Sequence, residues 1–90
     1  MPNSDIIDQE SQICKRNGVQ RLDLFGSFAT GTATPTSDID FVVYGCKDIL
    51  HLEDELADID TLRKIDIFEY ESIKNKFLKE DIEKYGKQIY

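Results

Sequence analysis

The chain has 90 residues, 18 acidic against 11 basic, giving a formal net charge of −7 with 40% hydrophobic and 32% charged residues. That length supports one core and excludes a two-domain enzyme, since domains commonly run to about 100–150 residues. No window approaches the roughly 20 apolar residues of a membrane-spanning helix, and the acidic balance opposes nonspecific nucleic-acid binding, which draws its affinity from Lys and Arg on phosphates.

The polar, acidic start Met1-Pro2-Asn3-Ser4-Asp5 has neither the basic end nor the apolar centre of a secretory signal, and points to a cytoplasmic protein. Cys14 and Cys46 have no Cys or His at zinc-site spacing and are expected as reduced thiols. Ile6, Ile7, Ile13 and Cys14 fall near helical spacing, with Glu10 the one polar residue on that stripe. Ser4 as N-cap and Asn17-Gly18 as the stop predict a first helix over Ser4 to Asn17. Val19 to Phe25 mixes apolar and polar residues, alternating cleanly only from Arg21 to Leu24, and reads as a strand. Gly26 to Ser37 holds four threonines, two glycines and Pro35, and reads as a turn-rich connection with one short helical turn after Ser27. Asp38 to Tyr44 is the strongest strand pattern, ended by Gly45. Ile49, Leu52, Leu56 and Ile59 predict a helix over Lys47 to Asp60, with Glu53, Asp54, Glu55, Asp58 and Asp60 forming a solvated face or a dock for a basic partner. Lys64 to Glu69 reads as a third strand. Ile73, Phe77, Ile82 and Tyr85 mark a last helix closed by Gly86, with Ile89-Tyr90 as a terminal extended piece. The expected fold is α/β (α+β): one domain over residues 1–90, a small mixed sheet covered by helices in the order α-β-α(short)-β-α-β-α.

Asp38 and Asp40, two apart on a predicted strand, project from the same face. Asp66 follows 26 residues after Asp40, inside another apolar strand. If the two strands are neighbours the three carboxylates converge, repel one another, and call for a hard cation such as Mg²⁺. Two such ions can activate a hydroxyl and stabilise a leaving pyrophosphate. Gly26-Ser27, where a strand runs into a short helical turn, can present backbone N–H groups and a hydroxyl to phosphate oxygens. His51, off the apolar stripe of its helix, is expected at the surface. Tyr44, Tyr70, Tyr85 and Tyr90 are expected in core or rim packing, and Lys76–Glu80 and Lys79–Glu83 have the spacing of helical ion pairs.

The combination Gly26-Ser27-Phe28-Ala29-Thr30-Gly31, six further residues, then Asp38-Ile39-Asp40 resembles the signature of the nucleotidyltransferase superfamily typified by DNA polymerase β, with Asp66 at the third carboxylate. The short length resembles the minimal nucleotidyltransferases, the antitoxin halves of HEPN/MNT toxin–antitoxin pairs. That resemblance implies that Gly26 and Ser27 hold the triphosphate of ATP, and that Asp38 and Asp40 bind two Mg²⁺ ions. Asp66 would complete one metal site and help deprotonate the acceptor. It implies AMP transfer to a tyrosine of a HEPN ribonuclease partner, in a hetero-oligomer, which silences the toxin. Thr30 departs from the pattern, because many minimal members carry Arg there. Losing that cation would reduce nucleotide binding or move the contact elsewhere, with Lys64 or a partner residue as the candidate substitutes. The alternatives are an antitoxin that neutralises by binding alone, and a nucleotidyltransferase for a small molecule or RNA. The latter is disfavoured because there is no second domain and no basic patch.

Overall fold

The computed structural model describes residues 3–34, 37–59 and 64–90. Its elements are α1 (Asn3–Arg16), β1 (Arg21–Phe25), α2 (Ser27–Thr30), β2 (Ile39–Tyr44), α3 (Ile49–Leu56), β3 (Ile65–Glu69), a 3₁₀ turn (Tyr70–Ser72), α4 (Lys76–Tyr85) and β4 (Lys87–Gln88). The predicted order holds: the short helical turn after Ser27 is α2, and a two-residue strand, β4, forms at Lys87–Gln88, just before the extended piece expected at Ile89-Tyr90.

The boundaries shift where side chains cap the backbone. α3 begins at Ile49 rather than Lys47 because the Asp48 carboxylate accepts the His51 N–H at 3.1 Å. It ends at Leu56, and Asp60 lies outside the described residues. α4 begins at Lys76 because the Asn75 side-chain oxygen accepts from Phe77 N–H at 2.9 Å and Leu78 N–H at 3.3 Å, which leaves Ile73 extended before it. Ser4 sits inside the first turn of α1 rather than capping it.

The sheet order is β3-β2-β1-β4. β1 runs antiparallel to both β2 and β4, whereas β2 and β3 are parallel, joined by the α3 crossover that a parallel pair requires. The terminal residues extend the β4 edge: Ile89 N–H donates to Leu22 C=O at 2.8 Å, and Leu22 N–H donates to Tyr90 C=O at 3.2 Å.

Alternation divides the sheet into two faces. Leu22, Leu24, Ile39, Phe41 and Val43 point to one face and pack with Ile6 and Cys14 of α1, Leu52 and Leu56 of α3, and Ile59. Asp23, Asp40, Val42, Tyr44, Asp66 and Phe68 point to the other. α4 and the turn before it are anchored over one end of that second face. The Tyr70 ring stacks on Tyr44 with centroids 4.6 Å apart, and Tyr70 hydroxyl donates to Glu83 Oε1 at 2.8 Å. Beneath them Asp23, only 1% exposed, accepts two bonds from Arg21, at 2.9 and 3.1 Å, and one from Tyr44 hydroxyl at 3.1 Å. A buried carboxylate held by three donors is satisfied, and it fixes this corner of the sheet.

The α4 stripe differs from expectation. Ile82 is buried, but Phe77 and Tyr85 are 67% and 50% exposed. Glu83 is engaged by Tyr70, while Lys79 lies 4.9 Å from the Tyr70 ring centroid. Tyr90 lies at the rim, its hydroxyl donating to Val19 C=O at 2.9 Å. His51 is on the surface, as expected, 3.0 Å from Glu55.

Candidate active site

The carboxylates gather at the end of the second face opposite the Asp23 anchor. Parallel pairing sets Asp40 directly beside Asp66, and antiparallel pairing sets Asp40 beside Phe25, the last residue of β1. The register therefore brings the end of β1, with the Gly-Ser turn that follows, against the start of β2 and β3.

Gly26 makes this approach possible. Its φ of 71° lies in the region favouring glycine, and a Cβ there would stand 2.5 Å from Asp40 Oδ2. The Asp40 carboxylate therefore lies against bare backbone at the start of α2. Within that turn, Ala29 and Thr30 N–H groups donate to Gly26 C=O at 3.0 and 3.2 Å, and Gly31, at φ 76°, closes it in the left-handed conformation. Thr30 hydroxyl is 3.3 Å from Gly26 C=O and 3.0 Å from Thr32 hydroxyl, so it braces the loop and supplies no cation.

Asp40 and Asp66 are direct register partners on the same face of the sheet. The Asp40 carboxyl is pushed above its usual range by burial first, then by the negative charges of Asp66 and Asp38, partly opposed by Lys64. Lys64 Nζ lies 3.7 Å from Asp66 Oδ1, and its C=O accepts the Ile39 N–H at 2.9 Å. Asp38 stands exposed just before β2 and acts on Asp40 through its charge alone.

Of the three carboxylates expected to converge, the fold sets two side by side in register and leaves Asp38 exposed just before them. No three His, Cys, Asp or Glu side chains among the described residues are grouped closely enough for a metal ion. The donor chemistry nevertheless fits one. Two half-buried carboxylates set side by side, with the exposed Lys64 as their neighbouring cation, are hard oxygen ligands of the kind that a divalent cation takes.

Sequence reasoning missed the Arg21–Asp23–Tyr44 anchor that holds the far end of this face. The available signal was an Asp flanked by Leu22 and Leu24, a buried-strand position that demands partners.

Residues 9–90 match the family described as Polymerase beta, Nucleotidyltransferase. The "Putative protein adenylyltransferase MJ0128" of Methanocaldococcus jannaschii is 36% identical over 85 residues, covering 88% of this chain and 86% of the relative. A crystal structure described as a toxin-antitoxin with AMP-PNP aligns with a TM-score of 0.71 at 27% identity, over 99% of this chain and 73% of its own. A mutant of the toxin-antitoxin MntA-HpeT aligns with a TM-score of 0.69 at 26% identity, over 100% of this chain and 72% of the other.

Proposed function

Because the chain belongs to the Polymerase beta nucleotidyltransferase family and is a nucleotidyltransferase, we propose that it acts as an antitoxin, transferring AMP from ATP to a tyrosine of a partner HEPN ribonuclease in the cytoplasm. The observation that carries this reading is Asp40, the register partner of Asp66, lying against the bare backbone of Gly26, which sets carboxylates and a glycine turn side by side. The relative named as a protein adenylyltransferase favours a protein acceptor, and the toxin–antitoxin neighbours favour a toxin as that protein. The AMP-PNP in one neighbour favours ATP as donor.

In this reading Gly26 and Ser27 hold the triphosphate. Asp38, Asp40 and Asp66 hold Mg²⁺, two ions once the nucleotide is bound, and the metal supplies counter-charge to the phosphates and acidity to the acceptor hydroxyl. Asp66 takes the proton from the tyrosine hydroxyl. The tyrosine oxygen forms its bond to the α-phosphorus as the α,β-bridging P–O bond breaks, and pyrophosphate leaves with that electron pair.

The test is incubation with α-labelled ATP, Mg²⁺ and the HEPN toxin. Labelled toxin is expected from the wild type, with a fall of more than about a hundredfold in the Asp38→Ala, Asp40→Ala double variant, since a metal clamp contributes several kcal/mol to the barrier. Equal labelling by the double variant would remove the three-carboxylate mechanism. Absent labelling, with protection from the toxin retained in the double variant, would replace it with neutralisation by binding alone.

A further inference from the structure

The outer edge of β3 is open among the described residues, since the sheet order places β3 beside β2 only. Which of its backbone groups face outward follows from one bond. Ile39 N–H donates to Lys64 C=O at 2.9 Å, and Ile39 is the register partner of Ile65. In a parallel pair alternate residues address the same neighbour. Lys64, Asp66 and Phe68 therefore turn their backbone groups toward β2, and Ile65, Ile67 and Glu69 turn theirs outward.

A groove of about 460 Å³ wraps this edge, lined by Glu53, Leu56 and Ile59 on the α3 side and by Ile65, Asp66 and Ile67 of β3. Ile65 and Ile67 belong to the core face of the sheet and Asp66 to the catalytic face. Among the described residues, the groove therefore borders the strand edge, with Leu56, Ile59, Ile65 and Ile67 on its core side and a proposed catalytic carboxylate at its lip.

We propose that an extended segment of the acceptor protein adds to this edge as a fifth strand and so delivers its hydroxyl to Asp66. The inference rests on the protein-acceptor reading above and specifies how that acceptor is recognised. Backbone pairing with Ile65, Ile67 and Glu69 supplies affinity, and side-chain alternation supplies specificity. A hydroxyl-bearing residue faces Asp66, while apolar residues immediately before and after it enter the groove beside Leu56 and Ile59. Basic residues two positions away lie on the acidic face, matching Asp66 and the net charge of −7. Charge also argues against a second copy of this chain as occupant, because β3 paired with itself would set Asp66 and Glu69 among their own copies.

The experiment follows the backbone amides of ¹⁵N-labelled protein during titration with an end-blocked Lys-Val-Tyr-Val-Lys peptide. The resonances of Ile65, Ile67 and Glu69 are expected to shift and their hydrogen exchange to slow, while Phe41 and Val43, internal to the sheet, stay unchanged. Ile67→Pro, and independently Ile65→Pro, remove an outward donor without touching the β2 ladder. Each is expected to weaken the peptide about tenfold, with AMP-PNP binding unchanged. Shifts that map elsewhere, undiminished affinity in both folded proline variants, or concentration-dependent pairing of the chain with itself at β3 would overturn the proposal. A Tyr→Phe peptide separates the two readings. If it binds as well as the tyrosine peptide while neither peptide nor toxin ever receives AMP, the docking edge stands and the transferase reading fails. If the toxin is labelled but β3 amides never respond to it, the docking edge fails and the transferase reading stands.

Discussion

Both carboxylate oxygens of Glu10 are buried on α1 without a hydrogen-bond partner among the described residues, and burial pushes its pKa up to about 8. The side chain is held in its neutral form because ionising it there would cost far more than in water. Its negative form would also face Cys14, one turn along, whose thiol burial and Glu10 together push up to about 12. In the unfolded chain Glu10 ionises above about pH 4.5, so between that value and about 8 the unfolded state holds fewer protons than the folded one. Glu10 therefore favours folding most at low pH, and that contribution is lost as pH rises to about 8. Glu10→Leu removes the effect. Its stability advantage over wild type in urea unfolding is expected to grow by roughly 2–4 kcal/mol between about pH 5 and 8, and an advantage that does not change with pH would refute this account. The sequence placed Glu10 on the apolar stripe of its helix. Periodicity alone could not say whether that position sinks under α3 and the sheet or reaches solvent, because a long carboxylate at the edge of a stripe commonly snorkels.

Among the elements, α4 shows where patterning and packing part company. Ile73, Phe77, Ile82 and Tyr85 fit a helical stripe on paper, yet only Ile82 is buried, and the helix is held by Asn75 at its start and by the Tyr70–Glu83 bond. A stripe specifies a face but not its angle to the sheet. Here that angle is fixed by the stacked Tyr44–Tyr70 pair above Asp23, a contact between residues far apart in sequence. The same limitation displaced the predicted starts of α3 and α4, because Asp48 and Asn75 cap them only once the preceding backbone is extended. The α4 cap is worth about 1 kcal/mol. Asn75→Ala is expected to lower the unfolding free energy by that amount, with Asn75→Asp retaining it. Equal destabilisation by both would mean that the Asn75 oxygen is not acting as acceptor for Phe77 and Leu78 N–H.

At the scale of the molecule, the sequence showed Asp40 and Asp66 each inside an apolar strand and made their meeting depend on those strands being neighbours, which the parallel β2–β3 pairing makes them. Asp40 and Asp66 sit at matching positions of two apolar strands, and pairing them in register sets Ile39, Phe41, Val43, Ile65 and Ile67 together on the core face. What the sequence left open was the other end of the sheet, where the tail becomes structural. Lys87 and Gln88 pair with β1, Ile89 and Tyr90 bond to Leu22 and pack against the core, and Tyr90 hydroxyl reaches Val19 C=O at 2.9 Å. These contacts cover the β1 edge and tie it to the loop after α1. In a domain whose whole stability is about 5–10 kcal/mol, losing two partly buried apolar side chains and several ladder bonds removes a large share of it. Deleting residues 87–90 is therefore expected to lower the melting temperature by more than about 10 °C. With the β1 edge bare, it is also expected to drive self-association on size-exclusion chromatography. Tyr90→Phe, which loses one hydrogen bond and keeps the edge covered, should cost only about 1 kcal/mol and leave the protein as associated as the wild type. If the deletion melts like Tyr90→Phe, the tail is an ornament on a sheet that stands without it. If it melts far lower, the end of the chain is what allows so short a sheet to hold Asp40 and Asp66 in register at its opposite end.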